Sequence, residues 1–222
     1  PNVSANAIFN RGLGQMKLIL FFSLLLFACA SRTTNNDSKL DGMNYFDENG
    51  EILLKLYKKI DNGYQYWETW NTDDKKAVIH WGQVGQKGEA REFRAPSSSE
   101  FRTRLTEEIE KMIRNGYGEI PIEDQFTLAI TFTLDSWGTA DDLDRREELR
   151  NILAEHLGWT VNGRCDDGDI GSGEMTLYAD VVDPYIAART IELEFKQQKV
   201  GETYKFTIIH GDSVLHPDYK VD

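Results

Sequence analysis

The sequence predicts an α+β fold made of two consecutive modules, and three observations carry that prediction. Strand-forming runs at 51–58, 64–70, 76–84 and 89–94 are joined by glycine-bearing turns. An apolar stripe of helical period follows at 101–113. From 126 to 209 the hydrophobic period then alternates between 2 and 3.6 in the order strand, helix, strand, strand, helix, strand. With 222 residues, 40% of them apolar, the chain can bury one large core or two small ones, and this punctuation favours two.

The first module is expected at 42–122. EILLKLYK and YQYWETW flank Asp61-Asn62-Gly63, residues that accept the left-handed positions of a hairpin turn. The run 76–84 leads through Gly85-Gln86-Lys87-Gly88 into 89–94, a second hairpin, so an antiparallel sheet of about four strands results. Pro96 stops the last strand, and Ser97 is placed to cap a helix with Glu100 reaching back to its amide. Phe101, Leu105, Ile109, Met112 and Ile113 share one face of that helix, the charged residues lie elsewhere, and Asn115-Gly116 ends it.

The segments YQYWETW, HWGQVGQKG and SSEF, with IEKMIRNGYGEI after them, resemble the WGR domain, a family named for a Trp-Gly-Arg triplet at a strand end. In poly(ADP-ribose) polymerases that domain contacts a DNA end, the tryptophan against the terminal sugar and the arginine supporting contacts between domains. The resemblance therefore implies that Trp81 stacks, that Gly82 completes the strand end, and that Lys87 and Arg91 contact phosphate. Gln83 stands where the family has arginine, and a neutral amide cannot form the charge-assisted fork of a guanidinium. Trp67, Trp70 and Trp81 also have a plainer reading as packing within the sheet. Residues 29–124 hold 14 basic and 18 acidic side chains, a net −4, which is not the footprint of a phosphate-tracking surface.

The second module is expected at 123–212. Phe126, Leu128, Ile130, Phe132 and Leu134 alternate with smaller or polar residues, a strand with one buried face. A helix over 139–157 carries Leu149, Ile152, Leu153 and Leu157 on one face, with Gly158 as its stop and a short strand at 159–161 after it. The Gly/Asp-rich segment 166–174 reads as a hairpin turn, with a calcium loop as the alternative, although its spacing misses the alternate-residue ligand pattern. Met175, Leu177, Ala179 and Val181 form the next strand, Asp183-Pro184 opens a second helix with Ala187, Ala188, Ile191 and Phe195 inward, and 204–209 is the last strand. This βαββαβ order is that of a ferredoxin-like sandwich, which hosts many unrelated functions. Residues 213–222 read as a tail.

Charge narrows the partner. Residues 125–222 hold 9 basic and 19 acidic side chains, a net −10, with Asp141, Asp142, Asp144, Glu147 and Glu148 in the first turns of the helix. Part of that complements the helix dipole, and the remainder suits either solubility or a basic protein partner.

From Met16 the chain reads MKLILFFSLLLFACA, a lysine and an apolar run over 18–27 that is too short to anchor by spanning. Leu26-Phe27-Ala28-Cys29 resembles the lipobox of bacterial lipoproteins, in which the cysteine is acylated after cleavage. The resemblance implies a signal peptide over 16–28, lipid on Cys29, a polar tether over 29–41 and a membrane-attached, extracytoplasmic protein. Residues 1–15 precede the signal and are left out of the fold reading.

The sequence has no HExxH, no Gly-x-Ser-x-Gly, no phosphate loop and no dinucleotide fingerprint, and its four histidines are scattered, so no catalytic residues, metal or cofactor are expected. The leading expectation is a non-catalytic, lipid-anchored binding protein with a protein partner. Two alternatives stay open: an immunity protein that neutralises a basic toxin, and a nucleic-acid end binder acting through Trp81, the latter disfavoured by charge.

Overall fold

The computed structural model describes residues 3–4, 44–135 and 137–221, and in them the chain forms two sheets and three α-helices. The expected signal peptide, the expected lipid site Cys29 and the expected tether lie outside the described residues.

The first sheet contains β2 (Leu53–Ile60), β3 (Gly63–Asp73), β4 (Lys76–Gln83) and β5 (Glu89–Arg94), each beside the next. β1 (Val3–Ser4) adds to its edge, pairing antiparallel with β5 so that Val3 faces Ala90. Helix α1 (Ser98–Arg114) is capped by Ser97, which accepts from the Glu100 amide at 3.2 Å, the first half of the expected capping box. The Glu100 carboxylate lies 3.6 Å from Arg104, one turn on.

The second sheet has the order β10-β9-β6-β8-β7, built from β6 (Phe126–Thr133), β7 (Gly163–Gly171), β8 (Glu174–Val181), β9 (Tyr204–His210) and β10 (Ser213–Tyr219). All of its pairings are antiparallel. Helices α2 (Ala140–Trp159) and α3 (Pro184–Gln198) send Leu149, Leu153, Leu157, Ala187, Ala188, Ile191 and Phe195 into one core with Leu128, Ile130, Phe132, Met175, Leu177, Ala179, Val181, Phe206 and Ile208. Each fully buried Leu, Ile or Phe there contributes about 1.5–3 kcal/mol of transfer free energy.

Four expectations are corrected. Gly158 does not stop α2, which runs to Trp159, and there is no strand at 159–161. The turn is made instead by Val161, a buried residue held at φ +48°, and by buried Asn162. The segment 166–174 is mostly strand: β7 pairs with β8 from Gly163 opposite Val181 to Gly171 opposite Glu174, and only Ser172 (φ +56°) and Gly173 (φ +81°) turn. Glycine at 168 is needed there because a Cβ would lie 2.8 Å from the Thr176 carbonyl. The tail forms β10, an exposed edge strand whose bulges and Pro217 hide its pattern.

The fourth concerns the boundary near residue 122. The two compact units interleave along the chain. One comprises Pro1–Leu54, Glu68–His80 and Gly88–Asn115, the other Lys55–Trp67, Trp81–Lys87 and Gly116–Asp222. In the first, Phe101 meets Phe46 and Phe93 with ring centroids 6.1 and 5.8 Å apart, and His80 Nδ1 lies 2.7 Å from Glu68 Oε1 with both side chains buried. In the second, Tyr57, Tyr66 and Val84 pack with Val161 and Val182 in a small cluster of their own. These apolar contacts hold the ends of β2, β3 and β4 together with the residues beyond 116, so sequence order does not mark the division.

Candidate functional site

The triplet Trp81-Gly82-Gln83 forms the end of β4, and all three residues are half-buried. The amide of exposed Gln86 donates to Gln83 Oε1 at 3.2 Å. The residues just beyond the triplet are used for packing. Val84 is 2% exposed, and the Gly85 N–H donates to the Thr160 carbonyl at 2.9 Å. Gly85 sits at φ +89° against Ile186, whose Cγ2 would be 2.3 Å from any added Cβ. Only glycine reaches that conformation and that distance without strain.

Lys87 is exposed and belongs to the same unit, where it bears electrostatically on His156. Arg91 belongs to the other unit, 3.6 Å from Glu108 and over the Phe93 ring. The structure thus groups Trp81, Gly82, Gln83 and Lys87, and gives Arg91 separate partners.

His156, one of the four scattered histidines, is carried by α2. Its side chain is 9% exposed on α2, with Nδ1 3.4 Å from Glu194 Oε2 of α3. Neither ring nitrogen has a well-formed hydrogen bond. Burial holds its pKa below the ordinary value, Lys87 adds to the effect, and Glu194 opposes it. Cys165 is fully buried in the core, and burial pushes its thiol up to about 12. It therefore lacks the thiolate character of a nucleophile or metal ligand at neutral pH.

The most exposed apolar surface lies at the N-terminal end of α2. Trp137 is 81% exposed and Leu143 48%. Gly138, at φ +111°, lies against Ile170, and Thr139 then caps the helix in a closed capping box with Asp142, the Thr139 amide donating to Asp142 Oδ2 at 2.7 Å. Asp135 precedes this end and Asp141 and Asp144 lie in the first turns of α2, none of them with a cation partner among the described residues. The neighbouring arginines are engaged elsewhere: Arg145 with Glu148 and Glu202, and Arg146 and Arg150 with Glu147. Sequence reasoning missed Trp137 because exposure is a tertiary property. The available signal was an aromatic residue between a strand end and a helix cap.

Among the described residues no group of three or more His, Cys, Asp or Glu side chains is arranged to hold a metal ion. Asp166 pairs with Arg164 at 3.3 Å and Asp169 accepts from the Tyr178 hydroxyl at 3.0 Å. No described helix is long and apolar enough to cross a membrane. No family model matches the chain, and neither a curated protein nor a solved structure shows significant similarity to it.

Proposed function

We propose that this chain is a non-catalytic, lipid-anchored protein of the bacterial cell envelope that docks a basic protein partner through the surface around Trp137. The observation that carries the reading is the 81% exposure of Trp137, close in sequence to Asp135, Asp141 and Asp144, which have no cation partner among the described residues. Large aromatic side chains dominate binding energy where a partner desolvates them, and a group of like charges selects a partner of opposite sign. Neutralisation of a basic toxin is the sharper form of this function. The lipobox ending in Cys29 supports attachment to a membrane by lipid.

The strand order β9-β6-β8-β7, with both helices contributing to one core, supports a ferredoxin-like reading of the second sheet, to which β10 is added. Two hairpins followed by a capped helix support the WGR-like reading of the first. Nucleic acid is not the proposed partner, because Gln83 is neutral and Arg91 is engaged by Glu108.

The test is crosslinking in membranes with the anchored chain as bait, comparing wild type with Trp137→Ala and with Asp135→Asn/Asp141→Asn/Asp144→Asn. A specific partner lost from both variants is the expected result, and undiminished capture by both would sink the docking surface. Cys29→Ser should separately abolish incorporation of labelled palmitate.

A further inference from the structure

We propose that the groove between α3 and the end of β10 binds a monocarboxylate carried on an aromatic or aliphatic group, the chemistry of a peptide C-terminus, with Arg189 as the anion-binding residue. The groove has a volume of about 210 Å³ and is lined by Tyr185, Ile186, Arg189, Tyr219 and Val221. Its aromatic wall is already assembled. The Tyr185 hydroxyl lies 3.1 Å from His216 Nε2, and the Tyr185 ring meets those of His216 and Tyr219 with centroids 5.8 and 5.4 Å apart.

The charge of this groove departs from its surroundings. Residues 125–222 contain 19 acidic and 9 basic side chains, and four of the five arginines there, Arg145, Arg146, Arg150 and Arg164, each have a carboxylate within 3.4 Å. Arg189 is exposed and has no carboxylate partner among the described residues. In a region with so large a surplus of acid, a guanidinium that no described carboxylate engages and that lines a concave aromatic surface is available to an incoming anion.

A guanidinium fork matches a carboxylate with two parallel hydrogen bonds, and adjacent rings lower the local dielectric and strengthen them. The apolar walls supplied by Ile186 and Val221 take the group that bears the carboxylate. The volume suits one side chain or ring. The surrounding negative charge repels a phosphate dianion more strongly than a carboxylate monoanion, which sets the ligand class. This site is independent of the acidic surface around Trp137.

The test titrates the purified full chain, isotope-labelled, with N-acetylphenylalanine, its amide, benzoate and inorganic phosphate, following the backbone amide resonances of Tyr185, Ile186, Arg189 and Val221. Saturable shifts are expected with the two carboxylates, and roughly tenfold weaker binding, about 1.4 kcal/mol, of the amide and of either acid to Arg189→Gln, which loses the charge-assisted fork. Arg189→Lys, which keeps the charge but not the fork, should fall between. N-acetylphenylalanine binding more tightly than benzoate supports a peptide terminus, and equal binding supports a free small acid. Binding of the amide as tight as that of the acid, undiminished binding to Arg189→Gln at unchanged melting temperature, phosphate binding as tight as the carboxylates, or no saturable shift with either acid would each overturn the proposal.

Discussion

Asn162 and Asp183 exchange two hydrogen bonds: the Asn162 Nδ2 donates to the Asp183 carbonyl at 3.0 Å, and the Asp183 N–H donates to Asn162 Oδ1 at 2.9 Å. The Asn162 carbonyl also accepts from the Val182 N–H at 2.8 Å. One fully buried side chain thereby ties the corner between α2 and β7 to the corner between β8 and α3.

Replacing that amide should therefore be costly. Asn162→Ala leaves the Asp183 backbone groups without their partner and is expected to destabilise the fold by about 2–3 kcal/mol, measured by urea unfolding. Asn162→Asp keeps an acceptor but loses the donor, so it should also destabilise near neutrality. An unchanged unfolding midpoint in both variants would show that the bridge contributes nothing.

Gly85 and Ile186 should behave as a coupled pair. Gly85→Ala forces a Cβ to within 2.3 Å of Ile186 Cγ2 at a positive φ, and is expected to cost roughly 2 kcal/mol. Removing the obstacle in Gly85→Ala/Ile186→Ala should recover part of the loss, giving a coupling of about 1 kcal/mol in a double-mutant cycle. Strict additivity would mean that the two residues do not meet in solution.

Stability should fall on mild acidification, and His156 is one source. Burial lowers its pKa in the folded state, so below the ordinary value of 6.5 the unfolded chain binds the proton more readily than the folded one. The contribution is favourable above that value and is lost as the pH falls through it. Glu194 limits the loss by favouring the charged ring. Unfolding curves between pH 7.5 and 5.5 should show a smaller decline for His156→Leu than for the wild type, and parallel declines would exclude this histidine.

Cys165 should be protected from alkylation by its full burial and by a thiol pKa raised to about 12. Iodoacetamide is expected to label it roughly a hundredfold more slowly in the folded chain than in urea, since reaction requires opening of the core. Equal rates at neutral pH would mean that β7 is open in solution.

By itself the sequence determined the elements with strong, uninterrupted period: β6 and β8, the buried stripe of α3, the apolar face of α1 and the caps Ser97 and Asp183. Their signals are local, because 3.6-residue and 2-residue spacing and a capping oxygen act within a few residues of chain. Only the tertiary structure decided the rest. Asp- and Gly-rich 163–171 became a strand because β8 supplied a partner ladder, and 213–219 became one because β9 did, overriding weak intrinsic preference with pairing. The exposure of Trp137, the lack of a carboxylate partner for Arg189 among the described residues and the use of Val84 and Gly85 in packing depend on which distant residues arrive beside them. No spacing along the chain encodes that arrival, so these sites became legible only once the chain was folded.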